Sequence, residues 1–309
     1  MNPEPATDPP FFSVVIPTYN RCDMLRAALD SVRRQTFTDY EVIVVDSLSD
    51  DGTEAMIAGL NAPVRYIREK NGGPGPARNI GIRAAEGTYI AFLDSDDLWF
   101  PWTLETYADV IATTDRPAFV TGKPQVFEDT ATLVDVKPAP ARHNAFADYY
   151  ASGDAWRWFG VSSFVVRADA LREAGGFDDR GLNAEDADLA LRLGTAPGFV
   201  ELTAPLQFAY RAHDANLTKN EKQNLAGLQI ILDREESGDY PGGTARRRER
   251  RRIIARHLRP LCLACLKSGQ RADGWSLYRR TLRWHLAAGN VRFALAFPVL
   301  AAASALRRR

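Results

Sequence analysis

Short apolar runs that stop abruptly at polar or acidic residues recur through the first two thirds of the chain, with segments of helical period between them. Residues 11–16, FFSVVI, form a β-branched run closed by Pro17, which predicts a buried first strand followed by the loop PTYNR. Asp23 is placed to cap a helix whose apolar positions Met24, Leu25, Ala28, Leu29 and Val32 follow helical spacing. Arg33 and Arg34 lie near its carboxyl end, where the helix dipole favours cations. Residues 41–45, EVIVV, predict a second strand ending at Asp46, and a polar turn from Ser49 to Thr53 leads into a helix over 54–60. A third strand is expected at 64–67, then the loop NGGPGP, a helix over 77–85, and a fourth apolar run, Ile90 to Leu93, that ends in Asp94, Ser95, Asp96 and Asp97.

Strands alternating with helices predict an α/β fold with a mostly parallel sheet covered on both faces. Such sheets bind ligands at the carboxyl ends of their strands, and those ends carry Thr18, Asp46 and Asp94. A single Asp after a strand is ordinary turn chemistry, and a helix cap would explain one carboxylate of the 94–97 tetrad. Three together call for a cation. Arg78 is a second oddity. With Pro76 as first helical residue it falls in the first turn, where the dipole disfavours cations, so it faces either an anion, such as a diphosphate or the aspartate cluster, or solvent.

Further on, a helix is expected from Trp102 to Thr113, strands at 118–122, 125–127 and 160–167, and a helix over 168–174, while 128–155 show no clear period. Asn183 can cap a helix that carries Glu185 and Asp186 in its first turn, and the Asn183 to Asp186 spacing resembles a capping box, which gives Asp186 a structural alternative. Asp188 and Arg192 are spaced as an i,i+4 pair. Strands at 199–201 and 206–211 close this region, and His213 follows in a loop, where a lone histidine is more often solvated than a ligand.

With 309 residues, 45% of them hydrophobic, the chain can bury a full core. Net charge is zero but unevenly spread: residues 241–309 hold 17 Lys and Arg against Glu249 and Asp273, so that segment is +15 and the preceding part −15. Three cysteines are too few for a disulfide framework or a zinc site, which fits a reducing cytosol, and Cys262 and Cys265 in LCLACL read as apolar helix positions. MNPEPATDPP lacks the basic and apolar regions of a secretory signal and is expected to be a disordered tail. Near the other end, a helix over 221–233, a breaker SGDYPGGTA and the run RRRERRR precede further helical pattern. The last apolar stretch has 14 uncharged residues, 293–306, interrupted by Pro298. That is short of the about 20 needed to span a bilayer but suited to the headgroup region. The basic, aromatic segment points to an anionic membrane surface, with a packed helical subdomain as the alternative; no nucleic-acid-binding signature accompanies the charge.

PTYNR, EVIVVDSLSDDGT, NGGPGPARN, GTYIAFLDSDDLW, NAEDADLALRL and YRAHDANLT occur in the order seen in family 2 glycosyltransferases of the GT-A fold, and the chain resembles that family over roughly residues 11–218. The resemblance implies an inverting transferase that moves a sugar from a nucleoside diphosphate sugar, with a UDP-sugar favoured, to a saccharide or lipid-linked saccharide acceptor. It puts Pro17, Thr18, Tyr19 and Arg21 around the nucleotide, Asp46 against the base, Arg78 near the diphosphate, and Asp94 with Ser95 by the ribose or donor sugar. Asp96 and His213 would hold Mn²⁺ or Mg²⁺, and Asp186, with Glu185 beside it, would be the base. With the composition and charge pattern, the organisation expected is a tail at 1–10, a catalytic domain at 11–218 and a basic helical extension at 219–309 that would seat the cytoplasmic chain peripherally at the inner face of the membrane. Where the family commonly reads VDDGS, this chain has Ser47 and Leu48 after Asp46, which leaves uridine, thymidine and guanosine donors open. A noncatalytic nucleotide-sugar-binding or scaffold protein of the same fold is the rival reading.

Overall fold

A computed structural model of the chain describes residues 8–133, 136–153, 160–181, 183–214, 216 and 220–306. Most of the expected N-terminal tail, the end of YRAHDANLT and the 218/219 boundary lie outside the described residues. The first half alternates as the apolar pattern predicts: β1 (Phe12–Thr18), α1 (Cys22–Arg33), β2 (Tyr40–Asp46), α2 (Thr53–Ala58), β3 (Arg65–Arg68), α3 (Pro74–Ala84) and β4 (Tyr89–Phe92). Then come β5 (Leu98–Trp99), α4 (Thr103–Thr113), β6 (Phe119–Thr121), β7 (Pro124–Phe127), β8 (Arg142–Phe146), β9 (Val165–Arg167), α5 (Ala168–Glu173), α6 (Glu185–Arg192), β10 (Phe199–Ala204) and β11 (Phe208–Arg211). Four helices close the chain: α7 (Glu221–Ser237), α8 (Arg247–Ser268), α9 (Arg271–Ala287) and α10 (Val291–Leu306).

An eight-stranded sheet runs β3-β2-β1-β4-β9-β6-β10-β8, and a smaller one runs β5-β11-β7. β1 to β4 are mutually parallel, whereas β9 runs antiparallel between β4 and β6, so the sheet is mixed. Every residue of β1 is buried, as expected of a central strand covered on both faces. Its side chains alternate, Val14 and Ile16 entering one apolar cluster with α1, α2 and α4, and Val15 the other with α3 and α6.

That second cluster continues without a break through Leu228, Ile231, Ile253, Leu258 and Phe297, so α7 to α10 share one core with the sheet. The basic run contributes to it. Arg250 is buried, donating to Glu235 at 2.7 Å and to the Pro241 carbonyl at 2.9 Å, and Arg246 makes two bonds to Asp148, at 2.6 and 2.7 Å. Some of the basic segment therefore neutralises acidic groups inside the molecule rather than standing in solvent.

Several local expectations change. Pro17 does not end β1: pairing with β4 stops at Val15, whereas Pro17 and Thr18 stay in register with Val45 and Asp46 of β2. Asp23 is not the α1 cap; Arg21 holds that position, and Asp51 of the following loop accepts from the Cys22 amide at 2.7 Å. α3 starts at Pro74, so Arg78 lies in its second turn. α6 is preceded by Ala184 in left-handed conformation, not by an Asn183 cap. The segment between α7 and α8 is anchored: Tyr240 is buried and donates to Asp188 at 2.8 Å. Residues 142–146, in the stretch without clear period, form the edge strand β8. α10 runs through Pro298.

Gly227 of α7 sits so close to residue 183 that an added Cβ would lie 1.6 Å from the Asn183 carbonyl oxygen. Ala for Gly inside a helix ordinarily stabilises by up to about 1 kcal/mol. Here overpacking should reverse the sign, so Gly227→Ala is expected to lose about 1–3 kcal/mol in urea unfolding. A variant as stable as the parent would show that α7 does not seat there.

Candidate active site

The parallel register puts Thr18, Asp46 and Arg68 abreast at the carboxyl ends of β1, β2 and β3. Asp46 is fully buried and its carboxylate is already engaged: Ser49 donates to it through amide and hydroxyl, and the Tyr66 hydroxyl donates at 2.6 Å. Burial and the Asp46 charge push the Tyr66 phenol up, so it stays a donor. Thr18 is buried, and its hydroxyl has no partner among the described residues, while Tyr19 next to it is 60% exposed. A buried hydroxyl left unsatisfied beside an exposed ring is the pattern expected of a polar binding subsite. The loops after β1 and β2 are laced together by the Asn20 amide to Ser49 and the Asp50 amide to Asn20. Leu48, at the position where the family commonly has Gly, takes φ 63° and is 41% exposed.

Beyond β4 the acidic tetrad divides into distinct environments. Asp94, Asp96 and Asp97 offer oxygens within 4.8 Å of one another. Asp97 is buried and both its oxygens are taken, by the Ser162 hydroxyl at 2.6 Å and the Arg211 amide at 3.0 Å. Burial, with the charges of Asp96 and Asp94, raises its pKa well above the usual carboxylate range. Asp96 faces two nitrogen groups: Arg21 donates to its Oδ2 at 2.6 Å, and His213 Nε2 is 3.0 Å from the same oxygen. β5 and β11 pair antiparallel, Ala209 opposite Leu98, and this brings His213 to an aspartate 117 positions earlier in the chain. Ser95 between them is buried.

Arg78 is buried and bridges two elements, donating to Asp94 at 2.5 Å and to Glu185 at 2.8 Å. Burial works against its charge, but the two carboxylates more than offset this and hold the guanidinium firmly protonated. Of the readings open to Arg78, its anions here are the aspartate cluster and Glu185. Asp186, next along α6, is half-buried and, among the described residues, accepts from the Ala187 amide alone, at 2.7 Å. Burial first, then the charge of Glu185, pushes it up to about 7.

Pro17, Thr18, Tyr19, Asp46, Asp94 and Ser95 thus lie at or just beyond the carboxyl ends of β1, β2 and β4, with Arg21 at the start of α1, Arg78 in α3, and Glu185 and Asp186 at the start of α6. The sequence did not point to Ser49, Tyr66, Ser162 or Arg211. Ser49 and Tyr66 bind Asp46 from its own loop and the neighbouring strand, and Ser162 lies in a 3-10 turn where an apolar run suggested strand. Only the tertiary pairing of β11 brings Arg211 in.

A mixed sheet with acidic side chains beyond its central parallel strands is the GT-A glycosyltransferase fold. TarS 1–349 from S. aureus, in complex with UDP-GlcNAc, matches with a TM-score of 0.64 at 21% identity over 95% of this chain and 87% of that one. The mannosyltransferase PcManGT from Pyrobaculum calidifontis, in complex with GDP-Man and Mn²⁺, gives 0.53 at 18% over 95% and 87%. Residues 13–167 match the model of Glycosyl transferase family 2, and the chain belongs to that family. Among curated relatives, an uncharacterized glycosyltransferase of Rickettsia typhi is 33% identical over 131 residues, 42% of this chain and 41% of that protein. The amylovoran biosynthesis glycosyltransferase AmsB of Erwinia amylovora is 29% identical over 194 residues, 59% of this chain and 63% of that protein. The matched segments thus span less than two thirds of these relatives' length.

Replacing Arg78 by Met would leave Asp94 and Glu185 facing each other without a counter-charge. We expect a loss of about 3 kcal/mol, the low end for breaking a buried pair because Asp94 keeps partial access to water. Chemical denaturation of Arg78→Met checks this, and an unchanged midpoint would mean that the bridge carries no stability.

Proposed function

We propose that this protein is a metal-dependent inverting glycosyltransferase that moves a sugar from a nucleoside diphosphate donor to an acceptor hydroxyl. The observation that carries the reading is the joining of Asp94, Asp96, Arg78, Glu185 and His213 at one sheet edge, with the part-exposed Asp186 beside them. Pro17, Thr18 and Tyr19 border the nucleotide, and the unpartnered Thr18 hydroxyl gives it a donor or acceptor. Asp46 meets the base, and Asp94 with Ser95 lies towards the ribose and donor sugar. A UDP-sugar is favoured, supported by the UDP-GlcNAc complex of the similar TarS fold, while the GDP-Man complex keeps guanosine in view.

The donor set fits a divalent ion. Asp96 and His213 would hold it, since their ligand atoms already converge and Asp97 has no free oxygen. Carboxylate oxygen with one imidazole suits Mn²⁺ or Mg²⁺. An ion held there would supply positive charge to offset that growing on a departing diphosphate.

Asp186 takes the proton of the acceptor hydroxyl as the new bond forms, and Glu185, fixed by Arg78, sets the entry to the helix that carries it. A carboxyl poised near neutrality accepts a proton while remaining largely ionised in mildly alkaline solution, worth about 10² to 10⁴ in rate. One displacement assisted by one base inverts the anomeric carbon. The acceptor is a saccharide or a lipid-linked saccharide of the cell surface, and the chain works at the cytoplasmic face of the membrane without spanning it. Relatives named for amylovoran and poly(ribitol-phosphate) chemistry support that class. Among the described residues, no helix is long and apolar enough to cross a membrane.

Two measurements test this. Donor hydrolysis or transfer should require Mn²⁺ or Mg²⁺ and stop in EDTA, and turnover without metal would remove the roles given to Asp96 and His213. Because a base works only when deprotonated, kcat/KM should rise with unit slope as pH climbs to about 7 and then level off. Asp186→Asn should lose about 10²-fold or more together with that limb, and a fully active variant would remove Asp186 as base.

A further inference from the structure

α10 has two faces. Phe293, Phe297 and Ala301 are buried in the shared core. The opposite stripe, Val291, Leu295 and Val299, is open, with Leu295 71% and Val299 68% exposed, and Leu300 to one side of it and Leu286 just before the α9–α10 turn are half-exposed as well. No charged residue interrupts α10 after Arg292. A surface helix of a soluble molecule ordinarily turns charge outward. Here the outward stripe is the apolar one.

We propose that this stripe seats on an anionic lipid surface, with α10 lying in the headgroup layer parallel to it. The inference deepens the reading of the chain as peripheral to a membrane and rests on it. Length excludes the alternative of spanning, since α10 has 16 residues and is too short to cross a bilayer. Charge decides between lipid and a second copy of the chain. Arg246, Arg250 and Arg280 are consumed in internal ion pairs. By contrast, Arg283 on α9 and Arg292 at the start of α10 are exposed and make no ion pair among the described residues, and three further arginines, 307–309, follow α10 in sequence. Two copies meeting through this stripe would bring like charges together, whereas phosphate headgroups would neutralise them. Apolar side chains flanked by unpaired arginines are the composition of an interfacial helix.

The test uses the full chain with vesicles of phosphatidylglycerol and phosphatidylcholine, and with phosphatidylcholine alone, in co-sedimentation at low and high salt. Binding is expected to the anionic vesicles, weakened by salt. Leu295→Asp with Val299→Asp should weaken it about tenfold or more. Arg283→Gln with Arg292→Gln should weaken it by about fivefold per arginine. All four side chains are exposed, so circular dichroism and thermal melting should match the parent. Equal binding by the Leu295→Asp/Val299→Asp variant, or no binding by the parent, overturns the proposal. So does light scattering that shows a dimer which these substitutions dissociate. Donor hydrolysis measured without vesicles reads the active site separately. Hydrolysis intact with vesicle binding absent sinks the docking face and the membrane-peripheral reading beneath it but leaves the transferase, parent-like binding by the Leu295→Asp/Val299→Asp variant sinks the docking face alone, and binding intact with hydrolysis absent sinks the transferase reading alone.

Discussion

Arg78 is the constraint around which the site is arranged. A guanidinium removed from water must be met by carboxylates, and this one is met from two directions, by Asp94 beyond β4 and by Glu185 at the start of α6. Because Arg78 is fixed on α3, which packs so tightly on β1 that Gly81 leaves no room for a Cβ beside Val15, its position is dictated by the central sheet. The sheet's geometry is thereby transmitted to α6. The cation also lies 5.1 Å from the Phe177 ring, so the loop leading towards α6 is gathered by the same group.

α6 is secured from its other side by the C-terminal helices. Arg234 of α7 reaches both Asp188 of α6 and Asp178 in the loop before it, and Tyr240 donates to the second oxygen of Asp188. The i,i+4 partner Arg192 completes that cluster. The acidic front and basic back of the chain, hidden in a net charge of zero, meet within the folded molecule through two further pairs, Asp148 with Arg246 and Glu235 with Arg250.

Much of the fold was legible because the signals were local. Continuous apolar runs that stop at polar residues located β1, β2 and β4, and helical spacing located α1, α4 and α7 to within a few residues. Where expectations failed, a long-range partner had replaced a local one. Asp23 does not cap α1, and Asp51 of the next loop instead holds the Cys22 amide at the start of that helix. The stretch around residues 142–146 carries almost no buried side chains, so no period marked it, yet it pairs with β10 at the sheet edge. The candidate site divides in the same way: strand-end acids stood out in sequence, whereas the groups that restrain them, such as Tyr66, Ser162 and Arg211, are ordinary residues made relevant by pairing alone.

Arg21 and His213 both approach Oδ2 of Asp96. A divalent ion held between Asp96 and His213 would take the place of the Arg21 guanidinium there, so filling the site would be an exchange of positive charge rather than a simple addition. The arginine set loose by that exchange would then be available to the next anion that enters.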